Sequence, residues 1–330
     1  MLIFYFRKLI RFYMKESIFR SFQRYIRANI SFFFSKKEVF NLAEFKLINS
    51  LCQLAKNSQL IDNKRKKNTH KIFSQKILNL VLQKNLINFL QKSFIQQMFF
   101  VHNRFFLLFY LFKFIFSDKW YLWKKILKES PVGNPVRYIF YPSSSGNKIF
   151  QTYHLKKFED FYGKELKDID VIFEFGGGYG NLAYSFCQIN KNIKYIIFDT
   201  FEVNLLQYYY LKKNNLKPSF QKLSHANNIL LLNSINKLEE NIEKIKLIKN
   251  KIFIANWSLS EVPLSLRDDL HFIFDTFDFQ LISFQNYFEN INNFQYFNRI
   301  KNENEKKNRI CSFVDVDYIK NNYYLFSKKS

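Results

Sequence analysis

The sequence predicts an α/β fold: a doubly wound, mostly parallel sheet of about seven strands with an antiparallel edge, preceded by a basic α-helical region. Three observations carry this. From residue 171 onward, continuous apolar runs alternate with helical patterns, as strands buried on both faces require. A glycine-rich turn joins the first run to a helix. The last two runs lie too close together for a crossover helix, and so predict a hairpin at the edge of the sheet.

Residues 1–130 repeat apolar side chains at three- and four-residue spacing, as in Ile72-Phe73-Ile77-Leu78-Leu80-Val81 and Leu86-Ile87-Phe89-Leu90, which predicts helices. This region holds 25 Lys/Arg against 6 Asp/Glu, so most of the net charge of +24 belongs to it. Arg7, Arg11, Arg20, Arg24 and Arg27 recur at helical spacing, which places several guanidinium groups on one face. Two readings fit the charge. One is a docking or substrate-binding surface for an anionic glycan, the membrane face or, less readily, nucleic acid; the other is the Lys-, Asn-, Ile-, Phe- and Tyr-rich composition of A/T-rich coding. Lys64-Arg65-Lys66-Lys67 reads as a solvated turn between helices.

Phe105–Phe116 is the most apolar stretch, but a run of about 12 residues is too short to span a bilayer and predicts a buried or interfacial helix. Met1–Lys8 places its apolar residues before its charges, the wrong order for a secretory signal. Cys52, Cys187 and Cys311 have neither disulfide-framework nor metal-ligand spacing. A cytoplasmic protein is therefore expected, with peripheral contact at the inner face of the membrane through residues 1–130 as one option.

Turn-forming residues cluster at Pro131-Val132-Gly133-Asn134-Pro135 and at Pro142-Ser143-Ser144-Ser145-Gly146-Asn147, which puts the start of the α/β domain at residue 131. Strands are predicted at Val171–Phe175, Tyr195–Phe198, Ile229–Leu232, Ile252–Ala255 and Phe279–Phe284, with helical patterns between the first four and after Pro263. Ile310–Val314 and Tyr323–Phe326 form the predicted hairpin.

The first strand ends in an acid and runs into Glu174-Phe175-Gly176-Gly177-Gly178-Tyr179-Gly180-Asn181. Glycines are needed where the backbone turns through positive φ and approaches a ligand. A dinucleotide fingerprint, Gly-x-Gly-x-x-Gly, would require Gly or Ala where Asn181 stands. Glu-x-Gly-x-Gly-x-Gly is instead the pattern of a turn around S-adenosylmethionine, which has no pyrophosphate to cradle. Asp199 ends the second strand, where a carboxylate can accept both ribose hydroxyls.

In four blocks the chain resembles the sugar O-methyltransferase family of bacterial polysaccharide gene regions: Glu129 to Pro135, Gly146-Asn147 through Tyr153-His154-Leu155, Glu174 through Asn181 with Asp199, and Trp257-Ser258-Leu259-Ser260-Glu261 through Arg267. A weaker block is Phe284-Gln285-Asn286. The resemblance covers residues 120–326. It implies the class I, Rossmann-like methyltransferase sheet, S-adenosylmethionine as cofactor and a sugar hydroxyl, free or in a lipid-linked or anionic glycan, as acceptor. Whether a divalent metal takes part is left open.

Ala255-Asn256-Trp257-Ser258-Leu259-Ser260-Glu261 leaves the end of the fourth strand, where open α/β sheets present ligands with side chains. Methylating a hydroxyl requires alignment of the acceptor oxygen and removal of its proton. Glu261 and His154 are the candidate bases, with His225 behind them. Glu261 could instead serve a helix start with Ser260 as its N-cap, and His154 could be a core histidine. Glu174, Gly176, Gly177, Gly178, Tyr179, Gly180, Asp199, Asn256 and Trp257 are assigned to the cofactor, and Ser258, Ser260 and Gln285 to the substrate. Asp315 and Asp317 alternate along a strand, which makes a shared metal doubtful. RNA as acceptor, or a non-catalytic Rossmann assembly factor, are the competing functions.

Overall fold

The strands take the places the apolar runs assign them. They are β1 (Val171–Phe175), β2 (Lys194–Phe198), β3 (Pro218–Ser219), β4 (Ile229–Leu232), β5 (Lys251–Asn256), β6 (Phe279–Gln285), β7 (Arg309–Asp315) and β8 (Asn322–Lys329). The computed structural model describes residues 41–59, 69–99, 104–224 and 228–330. The strands form one sheet in the order β7-β8-β6-β5-β1-β2-β4-β3. β3 to β6 and β1 with β2 pair in parallel, whereas β8 pairs antiparallel with both β6 and β7. The sheet is therefore the predicted doubly wound form with an antiparallel end. The strand the sequence does not reveal is β3, because two residues are too few to leave a periodic signal.

Side-chain alternation divides the core between the two faces. Ile172, Tyr195, Ile197 and Ile254 pack on one side, and Val171, Phe173, Phe175, Ile196 and Phe198 on the other. The first face is covered by α1 (Leu42–Gln59), α2 (Thr69–Leu82), α3 (Ser93–Met98), α4 (Leu107–Ile115), α5 (Trp120–Leu127), α6 (Gly146–Tyr162), α7 (Asn181–Ile189) and α8 (Phe201–Lys213). The second is covered by α9 (Ile235–Ile245), α10 (Leu264–Asp269) and α11 (Asn293–Lys306). The helices of residues 42–127 thus share one continuous apolar cluster with the sheet, and α1 and α2 lie against α8.

Leu86–Leu90 departs from expectation. Lys84 turns through φ 56°, ending the preceding helix, and the apolar residues sit in a turn followed by a single 3-10 turn at Phe89–Gln91. Leu86, Phe89 and Leu90 are fully buried there, so their spacing records burial and not a helix face. The Leu90 amide donates to the Gly133 carbonyl, tying this segment to the turn at residue 133. α4 realises the predicted short apolar helix: Leu107, Tyr110, Leu111 and Phe114 are buried, while Phe112, Ile115 and Phe116 are exposed. Among the described residues no helix is long and apolar enough to cross a membrane. The arginines of residues 7–27, the Lys64–Lys67 cluster and His225 lie outside the described residues.

Candidate cofactor site

β1 and β5 lie side by side although their helices wind in opposite directions, so the chain reverses between them and a crevice opens beyond their carboxyl ends. A cavity of about 1420 Å³ occupies this position. Its floor is the β1–α7 turn, one wall is the end of β2, another is Asn256 to Val262, and α2 and α3 contribute Phe73, Leu78, Met98 and Phe99 as a roof.

The turn is shaped by what it packs against. Gly176 has φ 70°, and a Cβ there would fall 2.2 Å from the Cβ of Ser258. Ser258 is fixed, since its Oγ donates to the Phe175 carbonyl. A Cβ at Gly177 would lie 2.7 Å from Ile197 Cγ2 and 3.0 Å from Glu174 Oε2. Close packing at both positions excludes any side chain. Gly178 and Gly180 also have positive φ, and Gly180 precedes the first turn of α7 without offering it a side-chain cap.

Glu174 is buried beneath the turn, where its Oε2 accepts from the Tyr195 hydroxyl at 2.8 Å. Burial, with the nearby charge of Asp199, pushes its carboxyl up to about 8 despite that hydrogen bond. Asp199 reaches the cavity wall from the end of β2. Its Oδ1 accepts from the Thr200 amide at 2.8 Å and its Oδ2 from Gln207 Nε2 at 3.0 Å. Burial raises its carboxyl to about 7, against the pull of those donors. The same Gln207 amide donates to the Gly178 carbonyl at 2.9 Å and so braces Asp199 against the glycine turn.

Beyond β5 the chain makes a strained bend. Trp257 has φ 61°, rare for a bulky residue, and is held there by several partners. Its amide donates to the Ser283 carbonyl at 2.8 Å, its indole donates to Asn322 Oδ1 at 2.7 Å, and its ring stacks on Phe150. Asn256 donates to Gln151 Oε1 at 3.0 Å and accepts from the Ser283 hydroxyl at 3.1 Å. Fully buried Arg267 ties the loop down from behind, donating to the carbonyls of Ser260 at 2.7 Å and Val262 at 2.9 Å.

The predicted site residues separate into two groups. Glu174, Gly176, Gly177, Gly178, Tyr179, Asp199, Asn256, Trp257, Ser258 and Glu261 all line the cavity. Gly180, Ser260, Gln285 and His154 do not. Ser260 is buried and caps no helix; its Oγ meets the Trp257 carbonyl at 2.6 Å and Gln285 Oε1 at 2.8 Å. Gln285 Nε2 in turn approaches Glu261 Oε1 at 3.5 Å, so both residues support Glu261 from behind. His154 is a core histidine. It is fully buried among Phe150, Trp257 and Tyr324, with Nδ1 2.7 Å from the Tyr324 hydroxyl, and burial lowers its pKa to about 3. A group so weakly basic and enclosed does not serve as a base for a ligand in the cavity. Asp317 is drawn into ion pairs with Lys113 and Lys157, and among the described residues no cluster of three or more His, Cys, Asp or Glu could hold a metal.

No protein-family model and no curated protein sequence matches the chain. Among solved structures, precorrin-6y C5,15-methyltransferase from Geobacter metallireducens is similar at 13% identity and a TM-score of 0.36, over 55% of this chain and 87% of that one. Magnesium protoporphyrin IX methyltransferase from Synechocystis PCC 6803, solved with bound SAM, is similar at 10% identity and a TM-score of 0.37, over 66% of this chain and 94% of that one. Human N-acetylserotonin methyltransferase in complex with SAM gives 13% identity and a TM-score of 0.31, over 55% of each chain. At this distance, cofactor and acceptor have to be argued from the chain's own residues.

Several cavity residues carry no motif of their own. Asn147, Phe150 and Gln151 of α6 line the cavity, as do Phe201 and Glu202 of α8. The first three fall inside the Gly146–Leu155 block, which was the available signal. Nothing in the sequence pattern marks Gln207 or the α2–α3 roof.

Proposed function

We propose that the chain is an S-adenosylmethionine-dependent O-methyltransferase that acts on a sugar hydroxyl. The observation that carries the cofactor is the sign of the cavity. In a chain of net charge +24, the charged groups lining the crevice among the described residues are Glu174, Asp199, Glu202 and Glu261 against Lys237 alone. Such a site favours a sulfonium and repels a dinucleotide pyrophosphate.

The donor set also fits. Each Asp199 oxygen accepts from one protein group, and a carboxylate has about four lone-pair sites, which leaves capacity for two ribose hydroxyls. The glycine turn keeps the backbone bare beside it. The cavity volume of about 1420 Å³ exceeds the roughly 300–1,000 Å³ of common ligand sites, consistent with room for cofactor and acceptor together.

When bound, S-adenosylmethionine supplies a methyl group on a positively charged sulfur. Glu261, at the cavity wall and supported by Gln285, takes the proton of the acceptor hydroxyl. Trp257, stacked on Phe150, offers an aromatic face to a sugar ring. The basic helical region of residues 1–130 is proposed to hold an anionic or lipid-linked glycan, and residues 131–330 to form the catalytic domain.

Two measurements test this. Calorimetry is expected to show S-adenosylmethionine binding, no NAD binding, and severe weakening in Asp199→Ala; preferential NAD binding overturns the cofactor. Labelled methyl transfer is expected into extracted surface polysaccharide. Transfer into total RNA instead would overturn the sugar acceptor.

A further inference from the structure

Lys148, in the first turn of α6, is fully buried. Its Nζ donates to Asn181 Oδ1 at 3.1 Å and Ser185 Oγ at 2.6 Å, and lies 4.7 Å from the centre of the Tyr184 ring. Burial lowers its pKa to about 8, with Glu129 pulling upward, so it keeps its proton at neutral pH. Among the described residues no carboxylate forms an ion pair with it. Glu129 is engaged by the Ser145 hydroxyl and the Ser130 amide. A buried cation without a counter-ion is costly unless an anion completes its surroundings.

Asn181 is the link from this cation to the cavity. It is 3% exposed and lines the cavity wall. Because a lysine ammonium can only donate, the atom facing Lys148 is the amide oxygen, and the opposite end must be the NH₂ group. That nitrogen, Nδ2, is buried without a hydrogen-bond partner. Asn181 also opens α7, a nine-residue helix whose N-cap is Gly180 and whose first turn has no side-chain cap. An orphan donor, an uncapped helix start and an uncompensated cation therefore converge at one wall of an otherwise acidic cavity.

We propose that Asn181, held in place by Lys148, is the subsite for the α-carboxylate of the amino-acid end of the ligand. This rests on the cofactor reading above, in which that end is methionine. Asn181 contacts the carboxylate, and Lys148 is a positioning residue that fixes the amide and contributes charge from behind.

The test compares S-adenosylmethionine with its decarboxylated form, which keeps the sulfonium and the amine, by calorimetry on the full chain. An acidic cavity alone favours the decarboxylated ligand, which is the more cationic of the two. The subsite reverses that order, with an expected preference for the intact cofactor of about tenfold or more. Asn181→Asp preserves the acceptor for Lys148 and replaces only the free donor with an oxygen. It should abolish the preference while leaving affinity for the decarboxylated form within about twofold. Lys148→Met, checked for folding by its thermal melt, should reduce the preference in the same direction. Equal binding of both ligands by the wild type, or a parallel loss of both in Asn181→Asp, overturns the subsite. A wild-type chain that binds neither ligand overturns the cofactor reading, and the subsite with it.

Discussion

Replacing Gly176 by alanine tests whether the glycine turn is locked against the loop that follows β5, and Gly163 supplies the control. Both have left-handed backbone, at φ 70° and φ 63°. A Cβ at Gly163 meets nothing within 4 Å, whereas at Gly176 it falls 2.2 Å from Ser258 Cβ and 2.8 Å from Ser258 Oγ. Left-handed backbone costs an L-residue about 1–2 kcal/mol. A smaller unfolded-state entropy returns about 0.4–1 kcal/mol. Gly163→Ala should therefore lose about 1 kcal/mol or less. Gly176→Ala adds an overpacking cost of about 1–3 kcal/mol, because Ser258 is anchored to the Phe175 carbonyl and follows the strained Trp257.

Urea unfolding of both variants should give a total loss for Gly176→Ala of about 2–4 kcal/mol. Adding Ser258→Gly to Gly176→Ala should recover part of it, a non-additivity that marks direct contact. Equal losses at the two glycines would refute the contact between turn and loop.

Three further outcomes are expected. Glu261→Gln should lower the methyl-transfer rate by about 100-fold or more with little change in cofactor affinity, measured by single-turnover kinetics and calorimetry; an unchanged rate removes Glu261 as the base. Since Asp199 and Glu174 are pushed up to about 7 and about 8, ligand-free stability from these groups falls as pH rises from their ordinary values of 3.8 and 4.5 through those raised ones. A ligand that needs them ionised should bind more tightly over the same rise above neutrality, and Asp199→Asn should flatten that profile; a flat wild-type profile contradicts it. His154, lowered from 6.5 to about 3, takes up its proton more readily when unfolded, so its stabilising contribution is lost as pH falls below 6.5. Replacing it with Gln should reduce the acid dependence of the melting temperature, by at most about 1.4 kcal/mol per pH unit, and an unaltered acid limb would refute this.

Much of the α/β half was legible in the amino-acid order. β1, β2, β4, β5 and β6 are continuous apolar runs because parallel strands covered on both faces have no solvent side to encode. The terminal hairpin was legible from the short link between its strands, and the glycine turn and Asp199 from the fixed geometry at the ends of β1 and β2. These features depend on local backbone geometry and on neighbours close in the chain, which a linear pattern preserves.

The tertiary structure alone decided which polar residues face the cavity. His154 and Glu261 were equivalent as candidate bases in the sequence, yet packing encloses the first among aromatic rings and leaves the second at the cavity wall. Leu86 to Leu90 has helical spacing but serves as a buried turn, because burial fixes which residues are apolar without fixing the backbone between them. Lys148 and Asn181 are 33 positions apart, and Gly178 and Gln207 are 29 apart. Their pairing is a long-range contact that no periodicity records, since each partner is unremarkable until the fold brings the other to it.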